Sequence, residues 1–320
     1  MVWSESDVAP PNSRVKPDVA SPALQRTLAF LWQRKAAPGY DRRDLAERRA
    51  ELAGFDDLYP VPADVAVEPV DQAGVRGVWL RPDGADPEAC LLYLHGGGYT
   101  RGSARSHQGL VARLASAANV EALVLEYRLA PEHPCPAAIE DAGAAIDLLV
   151  DRRGFDPCRL VVGGDSAGGG LAVATLVQRR DAGAELPAGL VVLSPWVDLR
   201  PLSSGARLMA ALDPVLSEED LLISSAAYRG VLPDDDPRVS PILADLRGLP
   251  PMLVLVGDRE LLRDDSVTLA RVATDAGVTV ELVVEPGLFH VWPLFPELPE
   301  SALTVRAIGS FIRSRTAPSR

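Results

Sequence analysis

The stretch from Arg159 to Gly170 reads Arg-Leu-Val-Val-Gly-Gly-Asp-Ser-Ala-Gly-Gly-Gly, and few chain paths are open to it. The apolar run asks for a buried strand, the glycines for a turn with no room for side chains, and the small residues after them for a helix start packed against its neighbours. Gly164, Ser166 and Gly168 give the spacing Gly-x-Ser-x-Gly. In such a strand-to-helix turn the serine hydroxyl stands clear of its own backbone at the cost of a strained backbone angle. It sits beside the N–H groups and positive dipole end of the coming helix. A nucleophilic serine needs that setting, although a glycine-rich turn of this kind also suits phosphate binding or plain close packing.

The rest of the chain tells which sheet the turn belongs to. Strand-like runs recur at 65–70, 75–80, 89–94, 122–127, 160–163, 190–193, 252–256 and 280–284. Helical patterns lie at 24–52 ahead of them, at 106–118, 137–151, 171–180 and 266–276 between them, and at 301–315 after them. Strand alternating with helix predicts an α/β fold, a mostly parallel eight-stranded sheet covered by helices on both faces, with functional groups at the carboxyl ends of the strands. The interval 200–238 breaks the alternation: it has no strand signal, but a helix-like Ser217-Glu218-Glu219-Asp220-Leu221-Leu222 and the turn cluster 233–237. One sheet with a lid accommodates all 320 residues as a single domain, 1–320, and no repeat or linker divides it.

A second motif ends an earlier strand. Cys90-Leu91-Leu92-Tyr93-Leu94 runs into His95-Gly96-Gly97-Gly98-Tyr99, where three glycines let the backbone turn N–H groups toward one point, as a developing oxyanion requires. The donors expected are Gly96, Gly97 and Ala167. A serine also needs a proton acceptor with a pKa near working pH, and the chain has four histidines. His95 belongs to the glycine loop, where it is expected to hold the loop by hydrogen bonds. His107 and His133 precede the serine, against the order serine, acid, histidine that is expected to accompany such an elbow. His290 remains, after the strand-like run at 279–284 and the turn at Pro286-Gly287. The acid could be Asp258, Glu260, Asp264 or Asp265, all following the run at 252–257. Asp258 lies nearest the strand end, and any of these carboxylates could accept the second imidazole N–H.

Taken together, the motifs resemble the hormone-sensitive-lipase-like esterase family of α/β hydrolases, called family IV among bacterial enzymes. Besides His-Gly-Gly-Gly and Gly-Asp-Ser-Ala-Gly-Gly, the chain carries Tyr127-Arg128-Leu129-Ala130-Pro131-Glu132-His133-Pro134, Ser194-Pro195-Trp196-Val197-Asp198-Leu199 and Leu249-Pro250-Pro251 in the family's order. The resemblance covers nearly the whole chain. It implies that the acid opens the segment Glu260-Leu261-Leu262-Arg263-Asp264, with glutamate where the family pattern has aspartate, and so favours Glu260 over Asp258. Asp258 is then left with a turn or capping role, and Asp264 and Asp265 with the first turn of the next helix. It also implies a helical cap drawn from about 1–55 and 200–238, and a serine carboxylic-ester hydrolase for short to medium acyl esters or lactones. No cofactor or metal is called for. An amide hydrolase or deacetylase would use the same Ser166, His290 and Glu260, and a ligand receptor on this fold would keep only the pocket.

Composition narrows the partners. A formal net charge of −12, with no basic cluster, disfavours nucleic acid and anionic membranes. Cys90, Cys135 and Cys158 form neither a disulfide framework nor a metal pair. Residues 1–20 are polar and proline-rich without the apolar segment of a signal peptide, and no run approaches a membrane span, so the expectation is a cytoplasmic monomer or homodimer acting on a small ester. Asp165 is expected to anchor the turn through backbone hydrogen bonds. Tyr99, Trp196, Leu288, Phe289 and Trp292 are candidates for either core or pocket.

Overall fold

The computed structural model describes residues 20–318 apart from 38, 41, 42 and 55–57. The first part of the expected cap, 1–19, lies outside the described residues.

All the expected strands form: β1 (Val65–Gln72), β2 (Val75–Pro82), β3 (Asp86–Leu94), β4 (Val120–Leu125), β5 (Leu160–Asp165), β6 (Gly189–Leu193), β7 (Met252–Gly257) and β8 (Val280–Glu285). They make one sheet in the order β1-β2-β4-β3-β5-β6-β7-β8. β1–β2 and β2–β4 pair antiparallel and the remaining pairs are parallel. Burial follows position in the sheet: β5, β6 and β7 are buried along their whole length, as strands covered on both faces must be, whereas β1 and β8 at the edges expose part of theirs.

Successive residues of a strand feed opposite cores. From β3, Cys90, Leu92 and Leu94 pack with α4 (Ala137–Asp147), α5 (Ala167–Asp181) and α8 (Arg263–Asp275). Leu91 and Tyr93 face the other way, toward α3 (Ala104–Ala118) and α9 (Pro299–Thr316). Removing water from these two layers of Leu, Val, Ile and Ala stabilises the sheet by about 25 cal/mol for each Å² of apolar surface buried. Asp264 and Asp265 fall in the first turn of α8, and Cys90 is fully buried within β3.

Two helical expectations need correction. The pattern at 24–52 is two helices rather than one. α1 (Pro22–Lys35) stops ahead of the Pro38-Gly39 pair, which cannot continue a helix, and α2 (Leu45–Ala53) restarts behind a capping box in which Asp44 accepts from the Glu47 N–H and Glu47 from the Asp44 N–H. The helix expected to run to 151 is α-helical only to Asp147, and a π-helical turn carries it from Leu148 to Arg152.

The interval 200–238 holds α6 (Ser204–Met209) and α7 (Glu218–Arg229). It meets the N-terminal helices directly: Lys35 Nζ donates to the Asp213 and Leu216 carbonyls at 2.6 and 2.5 Å, and Arg48 pairs with Asp220. α1, α2, residues 215–216 and α7 form the roof of the cleft that holds Ser166, just past the carboxyl end of β5. Among the described residues no helix is long and apolar enough to cross a membrane.

Candidate active site

Ser166 stands between the end of β5 and the start of α5 with φ 51° and ψ −122°. A non-glycine residue held there costs roughly 1–3 kcal/mol, so the surroundings must impose it. They do so through the main chain: the Ser166 N–H donates to Leu193 O at 2.9 Å, and its carbonyl accepts from Gly169, Gly170 and Trp196. The helix can start so close to the sheet only because residue 168 is glycine, where a Cβ would lie 2.0 Å from Leu94 O and 2.5 Å from His95 O.

His290 reaches the serine from the loop that follows β8. Its Nε2 lies 2.9 Å from Ser166 Oγ, and its Nδ1 lies 2.6 Å from Glu260 Oε2. With a proton on Nδ1 donated to Glu260, Nε2 offers its lone pair to the hydroxyl. Glu260 is fully buried in the turn after β7, and its other oxygen accepts from the Gly257 N–H at 2.7 Å and the Ser194 O–H at 2.8 Å. Asp258, two residues nearer the strand end, turns away and accepts the Gly287 N–H at 2.7 Å. Of the carboxylates weighed from the sequence, Glu260 is the one brought to the imidazole. Burial alone would push the His290 pKa down, but the Glu260 charge and hydrogen bond, with Asp213 and Asp165 behind them, raise it above its ordinary value.

The glycine loop requires a correction. The Gly96 N–H donates to Asp165 Oδ1 at 3.1 Å, so it is already spent and is not available to an oxyanion. Asp165, which also accepts from the Tyr93 O–H at 2.9 Å, clamps the loop to the elbow. His107 Nε2 stands 3.4 Å from its second oxygen. Burial would raise this carboxyl, yet His107 and the Tyr93 hydrogen bond hold it below its ordinary pKa. Gly97 and Gly98 line the cleft with Ser166 and His290, both at positive φ, 123° and 62°. No hydrogen bond among the described residues uses their N–H groups or that of Ala167. His95 behaves as a structural group: Nδ1 donates to Gly96 O at 2.8 Å, the ring stacks on Tyr127 at 4.2 Å, and burial followed by the neighbouring His107 pushes its pKa down to about 3, leaving it neutral.

The cleft encloses about 1010 Å³, open solvent at its mouth included, and lies between the strand ends and the roof. Of the aromatic and leucine candidates, Trp196 lines it, whereas Tyr99, Leu288, Phe289 and Trp292 are buried in the core. Sequence reasoning missed three contributors. Gly98 was hidden because every glycine of the loop reads alike. Ser194 bridges Glu260 to the Val291 N–H, accepting the latter at 3.2 Å, and its only signal was the Ser-Pro-Trp motif. Asp213, fully buried in the roof, accepts from Val215 and Leu216 and reaches across to the Leu261 N–H at 2.8 Å, next to Glu260.

Comparison with known proteins agrees with this architecture. The α/β-hydrolase fold family matches over residues 91–294. An acetyl-hydrolase of Streptomyces hygroscopicus is 40% identical over 302 residues, covering 93% of this chain and 98% of that one. An esterase of Acinetobacter venetianus is 34% identical over 262 residues, 80% of this chain and 85% of its own. Among solved structures, an esterase from the bacterial hormone-sensitive lipase family superposes with a TM-score of 0.89 at 40% identity, covering 93% of this chain and all of that one.

Proposed function

The chain belongs to the α/β-hydrolase fold family and is a carboxylesterase, and on that premise we propose that Ser166 is its nucleophile, His290 its general base and acid, and Glu260 the acid that orients His290. The observation that carries this reading is the unbroken contact from Ser166 Oγ through both ring nitrogens of His290 to Glu260, at 2.9 and 2.6 Å. Ser166 Oγ attacks the ester carbonyl as Nε2 takes its proton. The oxyanion that forms is met by the N–H groups of Gly97, Gly98 and Ala167. The imidazolium, stabilised by the buried Glu260 carboxylate, then protonates the departing alkoxide and leaves an acyl-Ser166. Water, deprotonated by His290, repeats the sequence and frees the acid.

Short to medium acyl esters suit a cleft lined by Trp196, Leu216, Leu221 and Phe295, and lactones present the same carbonyl to the same hydroxyl. The relatives' names favour ester over amide cleavage, and the hydrogen-bonded His290 argues against a receptor that has lost its chemistry. The test is incubation with an activated para-nitrophenyl ester, followed by mass analysis of the protein trapped with a serine-directed phosphonate. Burst release of nitrophenol and a phosphonylated Ser166 are expected, both absent in Ser166→Ala. Full turnover by Ser166→Ala would refute the reading.

A further inference from the structure

The roof of the cleft carries charge that the proposed chemistry does not use. Arg34 of α1, Arg43 and Arg48 at and within α2, and Arg101 just beyond the glycine loop line the cleft that holds Ser166, alongside Glu51 and Asp220. Glu51 pairs with Arg34 and Arg43, and Asp220 with Arg48 and Arg101. Each carboxylate therefore faces two guanidiniums, and among the described residues this end of the cleft holds more cations than anions, in a chain whose net charge is −12. Asp165 also borders the cleft, but its oxygens are engaged by Tyr93, Gly96 and His107.

These arginines are not ordinary surface groups. The Arg48 and Arg101 side chains are 9% and 18% exposed, and the Arg43 guanidinium stacks 3.9 Å above the Tyr40 ring. Burial, with the Arg48 charge beside it, holds the Arg101 pKa below its ordinary value. Crowding partly desolvated cations is unfavourable unless an anion enters among them, and the planar fork of arginine fits a carboxylate. The main chain of Arg101 is also joined to the glycine loop, since its backbone N–H donates to Gly97 O at 3.0 Å.

We propose that the cleft selects esters bearing a second, ionised group, a carboxylate set apart from the scissile carbonyl, which the arginine cluster around Arg101 binds while Ser166 attacks. The proposal rests on the Ser166 hydrolase reading and adds the substrate class to it. The charge could sit on the acyl or the alcohol side, and paired substrates separate the two. One arm compares the para-nitrophenyl monoester of adipate with para-nitrophenyl heptanoate, and the other compares the acetate ester of hydroxyhexanoate with hexyl acetate. In at least one arm the wild-type protein should favour the anionic ester by about tenfold or more in kcat/KM at low ionic strength, with a preference that shrinks as salt is added. Arg101→Gln should reduce that ratio by about tenfold, chiefly through KM, and Arg101→Lys, which keeps the charge but loses the planar fork, should retain only part of it. Arg43→Gln gives the same comparison should Arg101→Gln fold poorly.

Equal or better hydrolysis of the neutral ester by the wild-type protein in both arms overturns the proposal, as does a ratio unmoved by either glutamine variant. Failure of the underlying hydrolase reading looks different: neither member of a pair would turn over faster with wild-type protein than with Ser166→Ala, and the proposal would fall with it.

Discussion

Glu260→Gln tests the choice of acid most sharply, because glutamine keeps the shape and changes only where hydrogens can go. In the wild-type protein Oε1 accepts from Gly257 and Ser194 while Oε2 accepts from His290 Nδ1. The Gln carbonyl oxygen would keep the first two donors, which places the amide NH₂ against the imidazole. Nδ1 must then accept rather than donate, the ring proton moves to Nε2, and the nitrogen 2.9 Å from Ser166 Oγ has no lone pair to offer. The buried negative charge that stabilises the imidazolium is lost as well. A wrong tautomer in a Ser-His-acid triad lowers kcat by about 10⁴, so a fall of about 10³ to 10⁴ is expected here, equivalent to roughly 4–5.5 kcal/mol at the transition state. Asp258→Asn is the matched control: its amide oxygen can still accept the Gly287 N–H, and activity should stay within about threefold of wild type. Steady-state and single-turnover hydrolysis of a para-nitrophenyl ester, with circular dichroism to verify folding, reads both variants. If Asp258→Asn collapses turnover while Glu260→Gln remains within about tenfold of wild type, the assignment of the acid is wrong.

Two further outcomes follow from the same geometry. Because Glu260 raises the His290 pKa above its ordinary value, the acid limb of kcat/KM should fall tenfold per pH unit below an inflection higher than 6.5, and Glu260→Gln should move that inflection down; an unmoved inflection would separate the titration from this pair. His290 also holds its proton more tightly in the folded than in the unfolded chain, so its contribution to stability is fully present below the unfolded pKa and is lost as pH rises through the folded one. For packing, Gly168→Ala would drive a methyl group into the Leu94 and His95 carbonyls, whereas at Gly143, in the middle of α4, an added Cβ meets nothing within 4 Å. Urea unfolding should show Gly168→Ala destabilised by about 2–3 kcal/mol or more and Gly143→Ala stabilised by about 0.5–1 kcal/mol, and equal midpoints would contradict the close approach of α5 to β3.

Much of this molecule was legible in one dimension because its strongest signals are local. A buried parallel strand must be a short apolar run, a strand-to-helix elbow must be built of small residues, and both leave the same mark wherever they occur. The eight strands and their alternation with helices could be read for that reason, and so could Ser166. His290 could be isolated because the chain has few histidines and the fold imposes an order on them. The break between α1 and α2 was legible in principle, through Pro38-Gly39 and the Asp44–Glu47 capping box, but the surrounding helical periodicity masked it.

One dimension was enough to locate the strands and to name the chemical kind of each group near their ends. How those groups are shared out depends on the folded arrangement, because a hydrogen bond is allocated by distance in space and not along the chain. Gly96 gives its N–H to Asp165, 69 residues away, and so Gly98 faces the cleft with Gly97. Glu260 meets His290 because Gly257 and Ser194 hold its other oxygen, while Asp258 is drawn off by Gly287. Arg34, Arg43, Arg48 and Arg101 are scattered along the chain, and they line one cleft with Ser166 only in the fold.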